Sequence, residues 1–389
     1  MKNWPVFALR DVAEIVAGIT LGRKTNETEL LDVPYMRVAN VKDGALDFSE
    51  MKTVPATARE IEKLKLRDGD LLLTEGGDLD KLGRGACWRN QLSLCIHQNH
   101  IFRVRVPSDR YDPDFVSYQV GSPYGKAYFL AHAKKTTGIA SINQGVLGAF
   151  PLLSPYLSEQ RQIATRLNAQ LAEVETARQA AQAQLREVSS LADAIVLDSV
   201  RNHSVTEHSL GDVLAEVKRG IGARWSDYPV LGATRDGLAP AKEAPGKHAI
   251  KYKPVLPGTV FYNPMRILIG SIAFVDDGDT PGITSPDYVV LQGKPDLVDS
   301  RWFYYWLRSP LGVACINSLA RGAVRERMLF NRLAEGEIEL PAYSVQQRAS
   351  TALQELVPLK RIAAAQLAEI ERLPQKLLAQ AFTHRGETE

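Results

Sequence analysis

The chain repeats itself, and that limits its folds more than any composition figure does. DPDFVSYQVGSPYG at 112–125 aligns with DSRWFYYWLRSPLG at 299–312. Asp112/Asp299, Phe115/Trp302, Tyr118/Tyr305, Ser122/Ser309, Pro123/Pro310 and Gly125/Gly312 then all stand 187 residues apart. At the same offset Gln160–Arg161 meets Gln347–Arg348. AQLREVSSL at 183–191 answers AQLAEIERL at 365–373, and LRDVAEIVAGI at 9–19 answers LGDVLAEVKRGI at 210–221. LKLRDGDLLLTEG at 64–76 answers YKPVLPGTVFYNP at 252–264. Matches kept in one order imply a single α/β-containing unit plus one helix, used twice.

Within each half, DLLLTEG (70–76), HIFRVRV (100–106), TVFYN (259–263), ILIGSIAFV (267–275) and DYVVLQG (287–293) are rich in β-branched and apolar residues. Gly, Pro or Asp bounds them, and strands are expected there. FVSYQVGSPYG and WFYYWLRSPLG are expected as short amphipathic helices stopped by Ser-Pro.

Two longer helices stand out. From Ser158, which can cap a first turn, to about Val200 there is neither Pro nor Gly. Ile163, Leu167, Leu171, Val174, Ala181, Leu185, Val188, Leu191 and Ile195 recur at three- and four-residue steps. That is a heptad-type stripe on a helix about 60 Å long. The second copy carries Leu353, Leu356, Leu359, Ala363, Leu367, Ile370, Leu373 and Leu377, with Pro358 and Pro374 predicting a kink or restart. The simplest way to bury both stripes is antiparallel pairing.

Composition narrows the classes that remain. The 389 residues are 45% hydrophobic and 24% charged, which suits two ordinary cores and excludes a disordered or disulfide-stapled chain. Against 45 acidic residues stand 47 Lys and Arg, so a polyanion site would have to be built from local clusters. Cys87, Cys95 and Cys315 have no ligand spacing, which favours a reducing compartment. MKNWPVFALRDV lacks the basic-then-apolar order of a signal peptide. No apolar run approaches the roughly 20 residues of a membrane span. A cytoplasmic protein without a membrane partner is expected.

Catalytic motifs fare poorly. DPDF at 112–115 has Asp where an amino-methyltransferase loop carries its second Pro, and its repeat partner is DSRW. NPMR at 263–266 fails at both positions after Pro. TEGGDLDKLGRG at 74–85 lacks both the GxGxxG and the phosphate-loop spacing. His97 and His100 near Cys95 make no zinc pattern, so no metal, cofactor or catalytic residue is assigned to this chain.

The sequence resembles the specificity subunit of a type I restriction-modification system across essentially its whole length. Carrying the resemblance are LRDVAEIVAG and LGDVLAEVKRG, PYMRVANVKDG (34–44) and DGDLLLTEGG. So do GIASINQGVLGAFPLLSPYLSEQRQIA (138–164), IELPAYSVQQR (338–348) and the closing LLAQAF. The SINQG of 141–145 has no close second copy, only LFNRL at 329–333. The resemblance implies an α+β fold: a tandem repeat of a mixed α/β recognition domain plus a long helix, the helices pairing as an antiparallel coiled coil. It implies target recognition domains at 1–157 and 201–343, with spacer helices at 158–200 and 344–389, the latter including a C-terminal tail. Each domain would read half of a bipartite double-stranded DNA target, and the helices would fix the unread spacer. Two modification subunits and the restriction subunits would be partners, and S-adenosylmethionine, ATP and Mg would belong to them alone. A structural scaffold that never touches DNA, and a methyltransferase or nuclease acting alone, stay open as other readings.

Reading DNA needs polar side chains at base edges and cations for phosphates. Candidates in the first half are Arg23, Lys24, Arg37, Asn40, Lys81, Arg84, Lys134, Lys135 and Thr137. In the second half they are Lys218, Arg219, Arg224, Arg321, Arg325 and Arg327. The helix and subunit interface is expected at Ile163, Leu167, Leu171, Val174, Leu185, Val188, Leu191, Ile195, Leu353, Leu356, Leu367, Ile370, Leu373 and Leu377.

Overall fold

A computed structural model describes residues 4–24, 29–78, 82–136, 139–320 and 327–382. The chain divides into two compact units, Met1–Gln179 with Ala368–Glu389, and Ala180–Leu367. Both contain an antiparallel four-stranded sheet of the same order. In the first unit it runs Glu14–Ala17, Ile101–Arg105, Leu71–Thr74, Gly85–Cys87. In the second it runs Leu214–Glu216, Val289–Gly293, Thr259–Tyr262, Ile272–Val275. A short strand pair closes each unit, Val6–Ala8 with Pro151–Leu153 and Val205–Ser209 with Glu337–Pro341. The segment ILIGSIAFV is shorter as a strand than expected: Ile267–Ile269 forms a 3-10 turn, and Gly270 at φ +82° breaks the extended run.

The strongest sequence match encodes a corner. Asp112 and Asp299 cap helices Pro113–Gly121 and Ser300–Arg308, accepting from the amides of Phe115 (3.0 Å) and Trp302 (2.9 Å). The Ser-Pro that follows ends one helix and also begins the next, at Pro123–His132 and Pro310–Leu319. Proline suits that first position because its missing N–H would have lacked an intrahelical acceptor anyway. Glycine is required two residues later. A Cβ on Gly125 would lie 2.1 Å from the Val120 carbonyl oxygen, and one on Gly312 would lie 2.3 Å from that of Trp306.

The long helices span Leu157–Arg201 and Tyr343–Phe382. Ser158 lies inside the first turn rather than capping it. The second helix runs without a break through Pro358 and Pro374. Each proline removes one backbone bond, to the carbonyls of Gln354 and Ile370, while the turns on either side keep theirs. In the first unit, Ile163, Ala164 and Leu167 near the start of the first helix share a core with Leu378 and Phe382 at the end of the second. In the second unit, Ala192, Val196 and Val200 share a core with Ala349, Leu353 and Leu356. The pairing is therefore antiparallel.

Of the seam residues expected from the sequence, Ile163, Leu167, Leu353, Leu356 and Ile370 are buried. Leu171, Val174, Leu185, Val188, Ile195, Leu367 and Leu377 are half-buried. Leu191 and Leu373, at 50% and 36% exposure, lie off the seam. A strict heptad steps 3.5 residues per turn and a straight helix 3.6, so the buried face drifts about 20° per heptad. Near these two positions burial has moved to Ala192, Val196 and Leu378.

One buried amide locks each helix to its unit. Gln160 accepts from the Asp112 amide (3.0 Å) and donates to the carbonyls of Pro155 (2.8 Å) and Arg110 (3.2 Å). Gln346 repeats this with the Asp299 amide (3.0 Å) and the carbonyls of Pro341 (2.9 Å) and Leu297 (3.0 Å). Structurally, then, Gln160 corresponds to Gln346 and not to Gln347, which is exposed. The offset has slipped from 187 to 186 between the helix corner and the long helix. Removing either clamp strands buried backbone groups at about 1–3 kcal/mol in total. Gln160→Ala and Gln346→Ala are expected to lower unfolding stability by that amount in urea titrations, and Gln347→Ala by less than about 0.5 kcal/mol. Equal losses at Gln346 and Gln347 would contradict the register.

Candidate nucleic-acid interface

In the first unit the structure gathers Arg37, Asn40 and Arg84 around the loop 37–50. Asn40, 2% exposed, accepts from the Arg37 amide (3.0 Å) and donates to the carbonyls of Asp47 (2.8 Å) and Glu50 (3.1 Å). It holds the loop in shape and is not available to a ligand in this conformation. Arg37 donates to the Glu50 carbonyl (2.7 Å) and Arg84 to the Val38 carbonyl (3.3 Å), so both guanidinium groups brace the same loop. Arg23 sits elsewhere, forked onto Glu60 and bonded to the Pro55 carbonyl at 3.1 Å. The Arg23 hydrogen bonds hold the Glu60 carboxyl below its ordinary range. Lys24 is exposed.

Lys134 and Lys135 lie on the strand Lys134–Thr136, which pairs with Ile139–Ser141, itself paired to Gly76–Gly77. A Cβ on Gly76 would come within 2.7 Å of the Ala140 carbonyl oxygen, so this close approach needs glycine. Both lysines are exposed and have no acidic partner among the described residues. Lys81, Thr137, Arg321 and Arg325 fall outside the described residues.

The second unit places Lys218 and Arg327, distant in sequence, on one cleft of about 450 Å³. Lys218 stands 3.5 Å from Glu216, and Arg327 3.5 Å from Asp287. Lys253 and Asn331 line the same cleft and were not singled out from the sequence. Lys253 donates to the Tyr288 carbonyl at 2.7 Å, and burial pulls its pKa down. Arg219 is exposed nearby in sequence, as is Arg224 on the 3-10 turn Gly222–Asp227. The signal that could have found Asn331 is the weak LFNRL match. Helix Gln144–Gly148, capped by Asn143, packs on Leu9–Val12, and Phe330–Leu333 packs on Leu210–Val213. Leu147 and Leu333 are fully buried in the two units, which sets Asn331 in the place of Gly145.

The fragments that invited a catalytic reading have local jobs. Asp112 is a helix cap, and Asn263 accepts from the Met265 amide (3.0 Å) to close a turn. His100 pairs with Glu75 at 2.6 Å. Burial pushes the Cys87 and Cys95 thiols up to about 12. Among the described residues, no group of three or more His, Cys, Asp or Glu could hold a metal ion. His97 is fully buried, donates from Nε2 to the Val16 carbonyl (3.2 Å), and is held down to about 4 by that burial. Its folded pKa lies below its unfolded one, near 6.5, so the unfolded chain gains the proton first on acidification. Stability is therefore expected to fall between about pH 6.5 and pH 4, by on the order of 3 kcal/mol at 1.36 kcal/mol per unit. His97→Gln should flatten that limb in denaturant titrations at stepped pH.

Residues 1–183 match the family described as "Type I restriction modification DNA specificity domain". The putative type I restriction enzyme MjaX specificity subunit of Methanocaldococcus jannaschii is 26% identical over 169 residues, 43% of this chain and 39% of that one. The type I restriction enzyme EcoKI specificity subunit of Escherichia coli is 25% identical over 183 residues, 46% of this chain and 39% of that one. The match thus spans about two fifths of the length of these curated relatives. A chain solved in work titled "Structural basis underlying complex assembly and conformational transition of the type I R-M system" shares the fold. Its TM-score is 0.61 at 18% identity, with complete coverage of both chains. Among the described residues no helix is long and apolar enough to cross a membrane.

Proposed function

We propose, from the premise that this chain is homologous to the specificity subunits of type I restriction-modification systems, that it is the DNA-recognition subunit of such a system. The observation that carries this reading is the duplication itself. Two units have the same sheet order, the same helix corner and the same glutamine clamp, yet different exposed cations. In this reading residues 1–157 and 201–343 each read one half of a bipartite target, and the long helices join them. The chain contributes no catalytic group. Modification subunits bring S-adenosylmethionine and methylate adenine, and restriction subunits bring ATP and Mg. Lys134, Lys135, Lys218 and Arg327 neutralise phosphates, and side chains in the second unit's cleft lie against base edges.

Co-expression with a modification subunit, followed by methylome sequencing, tests the reading. The chain should direct methylation to one bipartite motif. Exchanging residues 1–157 for those of another specificity subunit should change one half of the motif and leave the other. Random or absent methylation would favour a scaffold that never touches DNA.

Charge gives a second test. Each phosphate neutralised contributes a slope of about −0.9 to log K against log salt. Lys134→Ala with Lys135→Ala should flatten the slope of the assembled complex by about two contacts' worth, with the motif unchanged. An unaltered slope would place both lysines on a free surface.

A further inference from the structure

The second unit has a larger cleft that the DNA reading does not use. About 810 Å³ in volume, it lies where the first long helix (Leu185–Asp193) and the second (Val357–Ala364) meet Arg235–Leu238 and helix Ser300–Arg308. Its volume falls in the range of small-molecule sites. A narrower recess of about 150 Å³ is lined by Asp193, Tyr305, Arg308 and Lys360, among others.

Its charges are unevenly matched. Asp279 pairs with Arg361 (2.8 Å), and Asp276 is held by Arg301. Arg308 donates to the carbonyls of Gly270 (3.2 Å), Ile272 (3.0 Å) and Arg235 (2.5 Å). Those bonds fix the guanidinium in place, and Asp193 attracts it only from beyond ion-pair distance. Lys360 makes no hydrogen bond or ion pair with any described residue. It is half-buried, and its pKa is lowered first by burial and then by repulsion from Arg308, against a weaker attraction from Asp236. Asp193 is likewise unpaired, its pKa raised by burial, and it lies beyond ion-pair distance of both cations. Arg186, Arg235 and Asp236 also line the cleft. The recess thus holds one fixed guanidinium and one unbonded ammonium, with no carboxylate within ion-pair distance of either among the described residues.

We propose that this cleft binds a small organic anion. Its phosphate or carboxylate would sit between Arg308 and Lys360, and a donor group on it would reach Asp193. Leu185, Leu238 and Val357 offer apolar surface for the body of such a ligand. Occupancy would clamp both long helices to the second unit, and this holds whether or not the chain reads DNA.

The test uses the full chain at constant ionic strength, with inorganic phosphate, ATP, citrate and a hexaglutamate peptide as probes. At about ten times Kd, mass action should raise the wild-type Tm by roughly 2 °C or more with at least one of the first three probes. Calorimetry should show saturable heat, and Lys360→Met should lose both responses. Because Lys360→Met removes repulsion and keeps an apolar stem, its ligand-free Tm should equal or exceed that of wild type. A lower ligand-free Tm would make Lys360 a structural counter-charge and overturn the proposal. So would equal responses in both proteins, no response to any probe, or a response to hexaglutamate alone.

Discussion

Two helices of 45 and 40 residues each carry an apolar stripe along their length, and burying those stripes is the constraint on which the rest depends. A unit built from short strands and nine- and ten-residue helices can cover only part of such a stripe. Each core is therefore closed by the start of one long helix and the end of the other. Phe115 meets Phe382 edge-on at 5.4 Å, and Trp302 donates to Ser199 at 2.9 Å. The first of these contacts joins residues 267 positions apart, so the first unit's core cannot finish before the last helix exists. Contacts of such sequence separation require a large loop closure before they stabilise anything.

Backbone devices were the most legible part of the sequence, because each needs a particular residue type. Asp112 and Asp299 cap, Pro123 and Pro310 start helices, and Gly125 and Gly312 sit where any Cβ would strike a carbonyl. Sequence and structure part where position depends on packing. Gln346 and Gln347 are adjacent and identical, so only the burial of one decides which is the clamp. Pro358 and Pro374 read as breaks, yet a helix held on both sides by tertiary contacts tolerates two missing bonds. Leu191 fits the heptad and faces away, because the drift between 3.5 and 3.6 accumulates. Asn331 left only the weak LFNRL signal, because the repeat preserves the short helix and its buried Leu333 but not the residue two positions before it.

Charge shows the same separation of frame from detail. Position 114 is Asp, held by Arg89, and its repeat partner 301 is Arg, held by Asp276. Both ion pairs tie the first turn of the corner helix to the end of the sheet, and both reach the adjoining long helix. In the first unit Asn168 donates to Asp114 (3.3 Å), and in the second Arg301 donates to Ser350 (3.2 Å). The sign of each charge has been exchanged while the connection is the same. A resemblance judged by identity loses such positions, although the physics at them is unchanged.

Arginine and lysine divide the work on the first unit's surface. Arg23, Arg37 and Arg84 use their forked donors on a carboxylate or on loop carbonyls, and Lys134 and Lys135 keep theirs for solvent. Planar guanidinium groups suit fixed multi-point bonding, and ammonium groups are point charges on mobile stems. Lysines of this kind supply salt-dependent attraction to a polyanion with little regard for sequence. Discrimination instead requires side chains whose positions are settled before binding, since ordering them on contact would consume the free-energy difference being measured. The loop 37–50 meets that requirement. Asn40, Arg37 and Arg84 tie it down from three directions, so whatever it presents outward is presented in one geometry. Arg37, Asn40 and Arg84 thus fix the shape of the surface that this loop offers to a partner.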